Sequence, residues 1–178
     1  MQDAPGQEDG DSATSDAIPV FWGWQRPFLS IGDQVRVKGL VTEFFGLTEI
    51  DTDGLEVTVE ASAQPLPDPI LLEPSADSAA TFEALEGMLT ALSEARVIGP
   101  THVACGFAVV APDGPERLIR HQETDPIGEI LPILNHTDVT CDGFPQVKTG
   151  DFVTGLRGPS PTTSTSSSWC SKTTALWR

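Results

Sequence analysis

Three aspartates near the start of the chain have the side chains and spacing to bind a cation. Asp9, Asp11 and Asp16 lie in the segment DGDSATSD, where carboxylates alternate with glycine and small polar residues. Calcium-binding loops use carboxylate oxygens in turns of this kind. The segment lacks the spacing and the terminal glutamate of an EF-hand, so a solvated acidic loop is the alternative. The sequence therefore offers these three aspartates as a candidate Ca²⁺ site.

A group of aromatic residues follows, and it has the chemistry to stack on bases or sugars. Trp22 and Trp24 lie between Phe21 and Phe28. Stacking platforms for single-stranded nucleic acid combine such rings with a basic groove. Here Arg26 is the one nearby cation, so packing in a core or between domains is the alternative function of the two tryptophans.

The third candidate feature is a pair of cysteines. The chain has three cysteines, and Cys170 lies in an atypical C-terminal tail, which leaves Cys105 and Cys141 as an even pair. A disulfide between them would imply an oxidising compartment. The alternative is two buried free thiols.

No catalytic set accompanies these features. His102, His121 and His136 are too widely spaced to indicate a metal site or a triad. Phosphate-binding loops, nucleophile elbows, HExxH helices and paired-cysteine zinc motifs are absent from the sequence. We therefore expect no catalysis and no cofactor on this chain.

The charge balance limits the partners of the chain. It has 10 basic and 26 acidic residues and a formal charge of −16. Because phosphate neutralisation by Lys and Arg supplies most non-specific affinity for nucleic acid, the chain alone should bind it poorly. No apolar run approaches the ~20 residues of a membrane helix, and the acidic first residues do not resemble a signal peptide.

The elements that would position these residues are mostly short strands. Alternating apolar and polar residues, bounded by Gly, Asp and Pro, predict them. The Asp51–Gly54 segment predicts a hairpin turn, and Gly87 predicts the end of one short helix over 77–86. The predicted strands cover 18–22, 35–41, 47–50, 55–60, 70–72, 88–92, 95–98, 106–111 and a segment that begins at 148. Residues 115–147 are predicted to be irregular, with the apolar run 130–134 as an anchor.

The strand pattern predicts a mainly β fold built from tandem small OB-like antiparallel barrels with one short helix. Ile31-Gly32-Asp33-Gln34-Val35 and Thr149-Gly150-Asp151-Phe152-Val153 share Gly-Asp-x-Val before a strand. This echo favours two related modules, although Gly-Asp before a strand is also common by chance. We divide the chain into a partial OB-like barrel at 1–72, a second OB-like module at 73–159 and a Ser/Thr-rich tail at 160–178.

The tail has the composition of a linker, but its codons favour a frameshift. Trp169-Cys170 read one base earlier must encode Leu, Met or Val followed by Val, which is strand chemistry. One permitted codon set converts 160–171 into LTYNFDQFLVVQ, which alternates like a strand. Other codon sets give other peptides. We expect the tail to be frameshifted.

Four segments together resemble a known family. DGDSATSDAIPVF (9–21), GDQVRVKGLVTEFFGLTEI (32–50), FEALEGMLTALSEARVIGPT (82–101) and PQVKTGDFVTGLRGP (145–159) resemble, in order, the OB-like region of large secreted bacterial nucleases. In that family the region precedes a catalytic domain of the endonuclease/exonuclease/phosphatase type. Its pattern also continues after glycine-proline with a strand like LTYNFDQF.

The resemblance implies an extracellular parent protein whose absent C-terminal domain hydrolyses nucleic acid with a divalent metal, Mg²⁺ or Ca²⁺. Nucleic acid would be a partner only in that full-length context. Family members begin further upstream, so Met1 is interpreted as an internal methionine and the first barrel strand as missing. Unpaired strand edges would then favour self-association. The alternative function is an extracellular adhesion module that binds Ca²⁺ or carbohydrate.

Overall fold

The structure is a computed structural model, and it describes residues 1–23, 28–44, 46–73, 78–103, 105–114, 130–134, 141 and 143–160. Within these residues the fold is mainly β, with antiparallel sheets and one short helix, and no sheet closes on itself. The strands are β1 (Gln34–Lys38), β2 (Val41–Phe44), β3 (Leu47–Ile50), β4 (Glu56–Ala61), β5 (Ile70–Leu71), β6 (Leu89–His102), β7 (Gly106–Val110), β8 (Leu131–Leu134) and β9 (Phe152–Pro159).

The helix α1 covers Ser78–Ala84 and is shorter than the predicted helix over 77–86. Residue 77 lies outside the described residues. Gly87 has a φ of +73°, but the helix already ends at Ala84, three residues earlier, so the predicted stop at Gly87 is too late.

The N-terminal half contains two separate antiparallel pairs, β1 with β4 and β2 with β3. The predicted hairpin turn at 51–54 is therefore wrong, because the strands on either side of it pair elsewhere. The predicted strand over 35–41 is also divided into β1 and the start of β2. In the first pair, valines occupy one face and the ion pairs Arg36–Glu60 (2.6 Å) and Lys38–Glu56 (3.0 Å) the other. This is the alternation that the sequence predicts for a half-buried strand.

The C-terminal half forms a five-stranded sheet around the long strand β6. The strands β9, β6, β7 and β8 lie in that order, all antiparallel, and β5 pairs in parallel with the start of β6. If β6, β7, β8 and β9 are numbered 1 to 4 in chain order, their spatial order is 4-1-2-3, which is that of a Greek key. Two predicted strands at 88–92 and 95–98 are in fact parts of β6.

The apolar core belongs to this second sheet. It combines side chains from β6, β7, β8 and β9 with Phe82 of α1 and Phe144 of the loop before β9. Among the described apolar residues before β5, Ile50 alone is buried to the same degree. The members of the core are Leu72, Phe82, Leu92, Ala95, Val97, Cys105, Phe107, Val109, Leu131, Phe144 and Leu156.

The two Gly-Asp sequences form the same turn. The N–H of Asp33 donates to the Ser30 carbonyl at 3.0 Å, and the Ser30 N–H donates to the Asp33 carboxylate at 2.8 Å. Asp151 and Lys148 repeat both bonds at 3.1 and 3.0 Å. The intervening glycines, at 32 and 150, have φ of +87° and +93°, as the third position of a type II turn requires. The hydrogen bond from the Ser30 N–H lowers the pKa of Asp33, and the Ser62 side chain makes a smaller contribution in the same direction.

We expect Gly32→Ala to destabilise the protein by about 1–2 kcal/mol, because alanine is strained at positive φ. An added Cβ would also lie 2.9 Å from the Gln64 carbonyl oxygen. Gly150→Ala is the matched control, since it has the same backbone strain but no atom within 4 Å of its Cβ position. Urea denaturation should rank Gly32→Ala as the less stable variant. Equal midpoints would show that the Gln64 contact is not tight.

The first 21 residues contain backbone bridges rather than the predicted strand at 18–22. Met1 and Ile18 exchange two hydrogen bonds, and Asp3 N–H donates to Asp16, so the acidic segment is a loop closed by a short ladder. Pro19 and Phe21 then hydrogen-bond both sides of Ile50 at 3.0 and 2.8 Å. The chain start is thereby joined to β3.

Candidate functional site

The acidic loop brings the three predicted aspartates together. Asp11 N–H donates to Asp9 Oδ1 at 2.7 Å, and Asp9 N–H donates to Asp16 Oδ1 at 3.1 Å. Thr14 Oγ1 donates to Asp9 Oδ2 at 3.1 Å. The carboxylates thus accept hydrogen bonds from their own loop, a common use of aspartate in turns.

Within the described part of the chain, no group of three or more His, Cys, Asp or Glu side chains has the arrangement of a metal site. Ca²⁺ binding by Asp9, Asp11 and Asp16 therefore stays a hypothesis. The hydrogen bonds within the loop use several of the carboxylate oxygens that a cation would need.

The structure describes only one of the two tryptophans that the sequence offers as a stacking platform. Trp22 is half-buried, and Trp24 lies outside the described residues. Phe21 is 45% exposed and Phe28 is fully exposed, so the neighbouring rings lie at the surface. The stacking hypothesis remains a prediction.

Cys105 and Cys141 form a disulfide with Cα atoms 5.2 Å apart. Cys105 is buried in the core and begins the return from β6 to β7, where its N–H donates to His102. Cys141 accepts the Phe144 N–H at 3.0 Å, and the Phe144 ring lies 5.7 Å from that of Phe107. The disulfide therefore anchors the loop that precedes β9 onto the core.

A buried glutamate is the group that sequence reasoning missed. Glu86 lies between α1 and β6 and is 7% exposed, and its Oε1 has no hydrogen-bond partner among the described residues. Burial raises the pKa of Glu86 to about 7, and the negative charge of Glu83 makes a smaller contribution in the same direction. A buried acid with a shifted pKa marks a candidate functional group.

A signal for this glutamate was present in the sequence. Glu86 is the one charged residue within the run ALEGML at 84–89, which is apolar apart from its glycine. A charge enclosed in this way must either be neutralised or find a partner. As a local pattern, the run predicts the end of a helix and the start of a strand.

A second carboxylate, Glu49 of β3, is also buried. Glu49 is 8% exposed, and burial together with the charge of Asp51 raises its pKa. His102 lies at the end of β6, while His121 and His136 fall outside the described residues. Among the described residues, no helix is long and apolar enough to cross a membrane.

Comparison with protein-family models, with curated proteins and with solved structures found no match to this chain. The function must therefore be argued from its residues.

Proposed function

We propose that this chain is a non-catalytic, OB-like accessory region of a secreted, metal-dependent bacterial nuclease. In the parent protein it would hold the catalytic domain or its nucleic-acid substrate in position. The proposal begins from the four segments that resemble such a region, from 9–21 to 145–159.

The observation that carries the proposal is the strand order β9-β6-β7-β8. An OB barrel is a five-stranded Greek key, so four of its strands in order 4-1-2-3 leave room for one more between the outer pair. The frame one base earlier can supply a strand like LTYNFDQF directly after Pro159. Until such a strand pairs there, the edges of β8 and β9 favour self-association.

The repeated turn is a weaker support for two related modules. Ser30–Asp33 and Lys148–Asp151 share both hydrogen bonds and the positive φ of their glycines, and each leads directly into a strand. One turn precedes β1, the first strand of the N-terminal half, and the other precedes β9, the last strand of the five-stranded sheet, so the repeat is one of local structure.

The disulfide supports an extracellular location. Disulfides persist in oxidising compartments and are rare in the cytosol. In this chain the Cys105–Cys141 bond lies at the core of the five-stranded sheet.

Hydrolysis itself would belong to a further domain that binds Mg²⁺ or Ca²⁺. Such a domain uses metal-bound water and clusters of Asp, Glu, Asn and His against the phosphodiester. The chain's charge of −16 also argues against tight binding of nucleic acid by this region alone.

The proposal is tested by incubating the purified chain with DNA and RNA in the presence of Mg²⁺, Ca²⁺ or EDTA. We expect no hydrolysis above the buffer control under any condition and no binding at physiological salt. Metal-dependent cleavage that elutes with the chain on two different columns would contradict a non-catalytic role.

An extracellular Ca²⁺- or carbohydrate-binding module is the second candidate, because Asp9, Asp11 and Asp16 share one loop. We expect millimolar CaCl₂ to change the melting temperature by less than about 1 °C, since the loop is closed by its own hydrogen bonds. Differential scanning calorimetry measures this, with Asp9→Asn as the matched variant. Stabilisation by Ca²⁺ that Asp9→Asn abolishes would favour the binding module.

A further inference from the structure

Glu86 lies where three parts of the molecule meet. Its carbonyl oxygen accepts the Ser15 hydroxyl at 2.7 Å, and Ser160 forms a parallel bridge beside it. The backbone N–H of Thr48 lies close enough to its carboxyl group to favour the ionised form, although burial outweighs this effect on the pKa. The residue thus contacts the N-terminal segment, the β2–β3 hairpin and the end of β9.

Other contacts between the two halves cluster at the same place. The Leu89 N–H donates to Oε1 of Gln2 at 2.8 Å. A Cβ atom added at Gly87 would lie 3.4 Å from Pro19 and 3.6 Å from Ala17, so the two segments approach closely here. This junction, which we call the Glu86 junction, joins residues 1–20 and β3 to the start of β6.

The charges around the Glu86 junction do not neutralise a carboxylate. Glu83 of α1 and Glu43 of β2 both act on Glu86 with the same sign of charge. On the N-terminal segment, the Met1 ammonium donates to the Ile18 carbonyl and Asp16 accepts from Asp9.

The remaining charged groups of the elements packed here have other surroundings. Glu49 of β3 is affected by Asp51, and Arg157 of β9 is exposed. An ionised Glu86 would therefore be a buried negative charge beside two others, which is costly.

We propose that Glu86 is a proton-dependent latch, which holds the N-terminal segment and the β2–β3 hairpin against the five-stranded sheet when its carboxyl is protonated and loosens this contact when it ionises. The proposal is independent of the nuclease proposal, since it concerns how the two halves of this chain are joined.

The direction of the effect follows from linkage. Burial, followed by Glu83, raises the pKa of Glu86 in the closed junction to about 7, against 4.5 for a free glutamate. A raised pKa means that the stabilisation is full below pH 4.5 and is lost as pH rises through 7. The open junction should gain about tenfold in population between pH 6 and pH 8.

The test is native-state hydrogen exchange of the whole chain at several pH values, corrected for intrinsic exchange rates. The amides of Ile18, Phe21, Ile50 and Leu89 donate hydrogen bonds at or near the junction and report on it. We expect their protection to fall about tenfold from pH 6 to pH 8 in the natural sequence.

Glu86→Gln should remove most of this fall, because glutamine has the same shape and no charge. Glu94→Gln, an exposed glutamate on β6, is the control and should behave as the natural sequence. Burial lowers the pKa of the Met1 ammonium, so deprotonation of this group favours the closed junction as pH rises and cannot cause a fall left in Glu86→Gln.

A second variant keeps the latch testable if Glu86→Gln does not fold. Glu83 is exposed, and Glu83→Gln removes one repelling charge, so its loss of protection should be smaller than that of the natural sequence. Protection that does not change with pH in the natural sequence would overturn the latch. An unchanged fall in Glu86→Gln, or in Glu83→Gln where Glu86→Gln does not fold, would do the same.

Discussion

We expect replacement of both Cys105 and Cys141 by alanine to lower the free energy of unfolding by about 4 kcal/mol. The disulfide closes a loop in the unfolded chain and so restricts its conformational entropy, and the size of this effect depends on the length of the loop. The two cysteines are 36 residues apart in sequence, and β7 and β8 both lie between them. Without the disulfide, the unfolded chain gains the freedom of this loop. Since the free energy of unfolding of an ordinary protein is about 5–15 kcal/mol, this loss would be a large part of the total.

Urea denaturation with and without dithiothreitol measures this effect. Cys170→Ser is the matched control, because it removes a thiol and leaves the Cys105–Cys141 bond in place. We expect Cys170→Ser to unfold at the natural midpoint under oxidising conditions and to lose stability on reduction. If reduction leaves the midpoint of the natural chain unchanged, the disulfide does not contribute to the fold.

Phe107→Ala lowers stability by about 3–5 kcal/mol, because it empties a large volume at the centre of the core. Phe107 is 3% exposed and packs with Phe144, whose ring centroid is 5.7 Å away. The cavity would lie beside the disulfide loop, so both the sheet and the loop lose contacts.

Phe152→Ala is the matched control on the same sheet. Phe152 is 53% exposed and has Arg96 over its ring at 5.7 Å, so its loss should cost less than about 1 kcal/mol. Urea midpoints and m-values of the two variants provide the comparison. Equal losses for both would mean that the core is not centred on β7.

The pattern of valines in β1 and β4 was predictable because period-two alternation is a local property. Val35 faces Val59, and Val37 faces Val57, as the alternation requires. Which strands pair is not local, however. The turn at 51–54 looks like a hairpin, yet β3 pairs back to β2 and β4 to β1.

The strand β6 was predicted as two strands for a related reason. Leu92 is buried at an even position and Ala95 at an odd one, with Ser93 and Glu94 exposed between them. The register with β9 is unbroken across this change, and Gly155 opposite it has a φ of +66°. A strand that bends keeps its pairing while its buried face changes, so periodicity alone divides it.

The candidate site was predictable only in part. Cysteine counting selected Cys105 and Cys141, and the same-loop position of Asp9 and Asp16 follows from their closeness in sequence. Glu86 was missed because its environment comes from Thr48 and Ser15, which are distant in sequence. Burial by distant segments cannot be inferred from a local pattern.

The DNA that encodes residues 145–178, together with the DNA downstream of it, provides the most direct test of an accessory role in a nuclease. We expect the frame one base earlier to continue after Pro159 with an alternating strand that includes the Leu, Met or Val followed by Val, and then to encode a domain rich in metal-binding Asp, Glu, Asn and His. A strand in that position would close the Greek key between β8 and β9. If that frame instead stops at once and no nuclease domain follows in any frame, the proposed function is wrong.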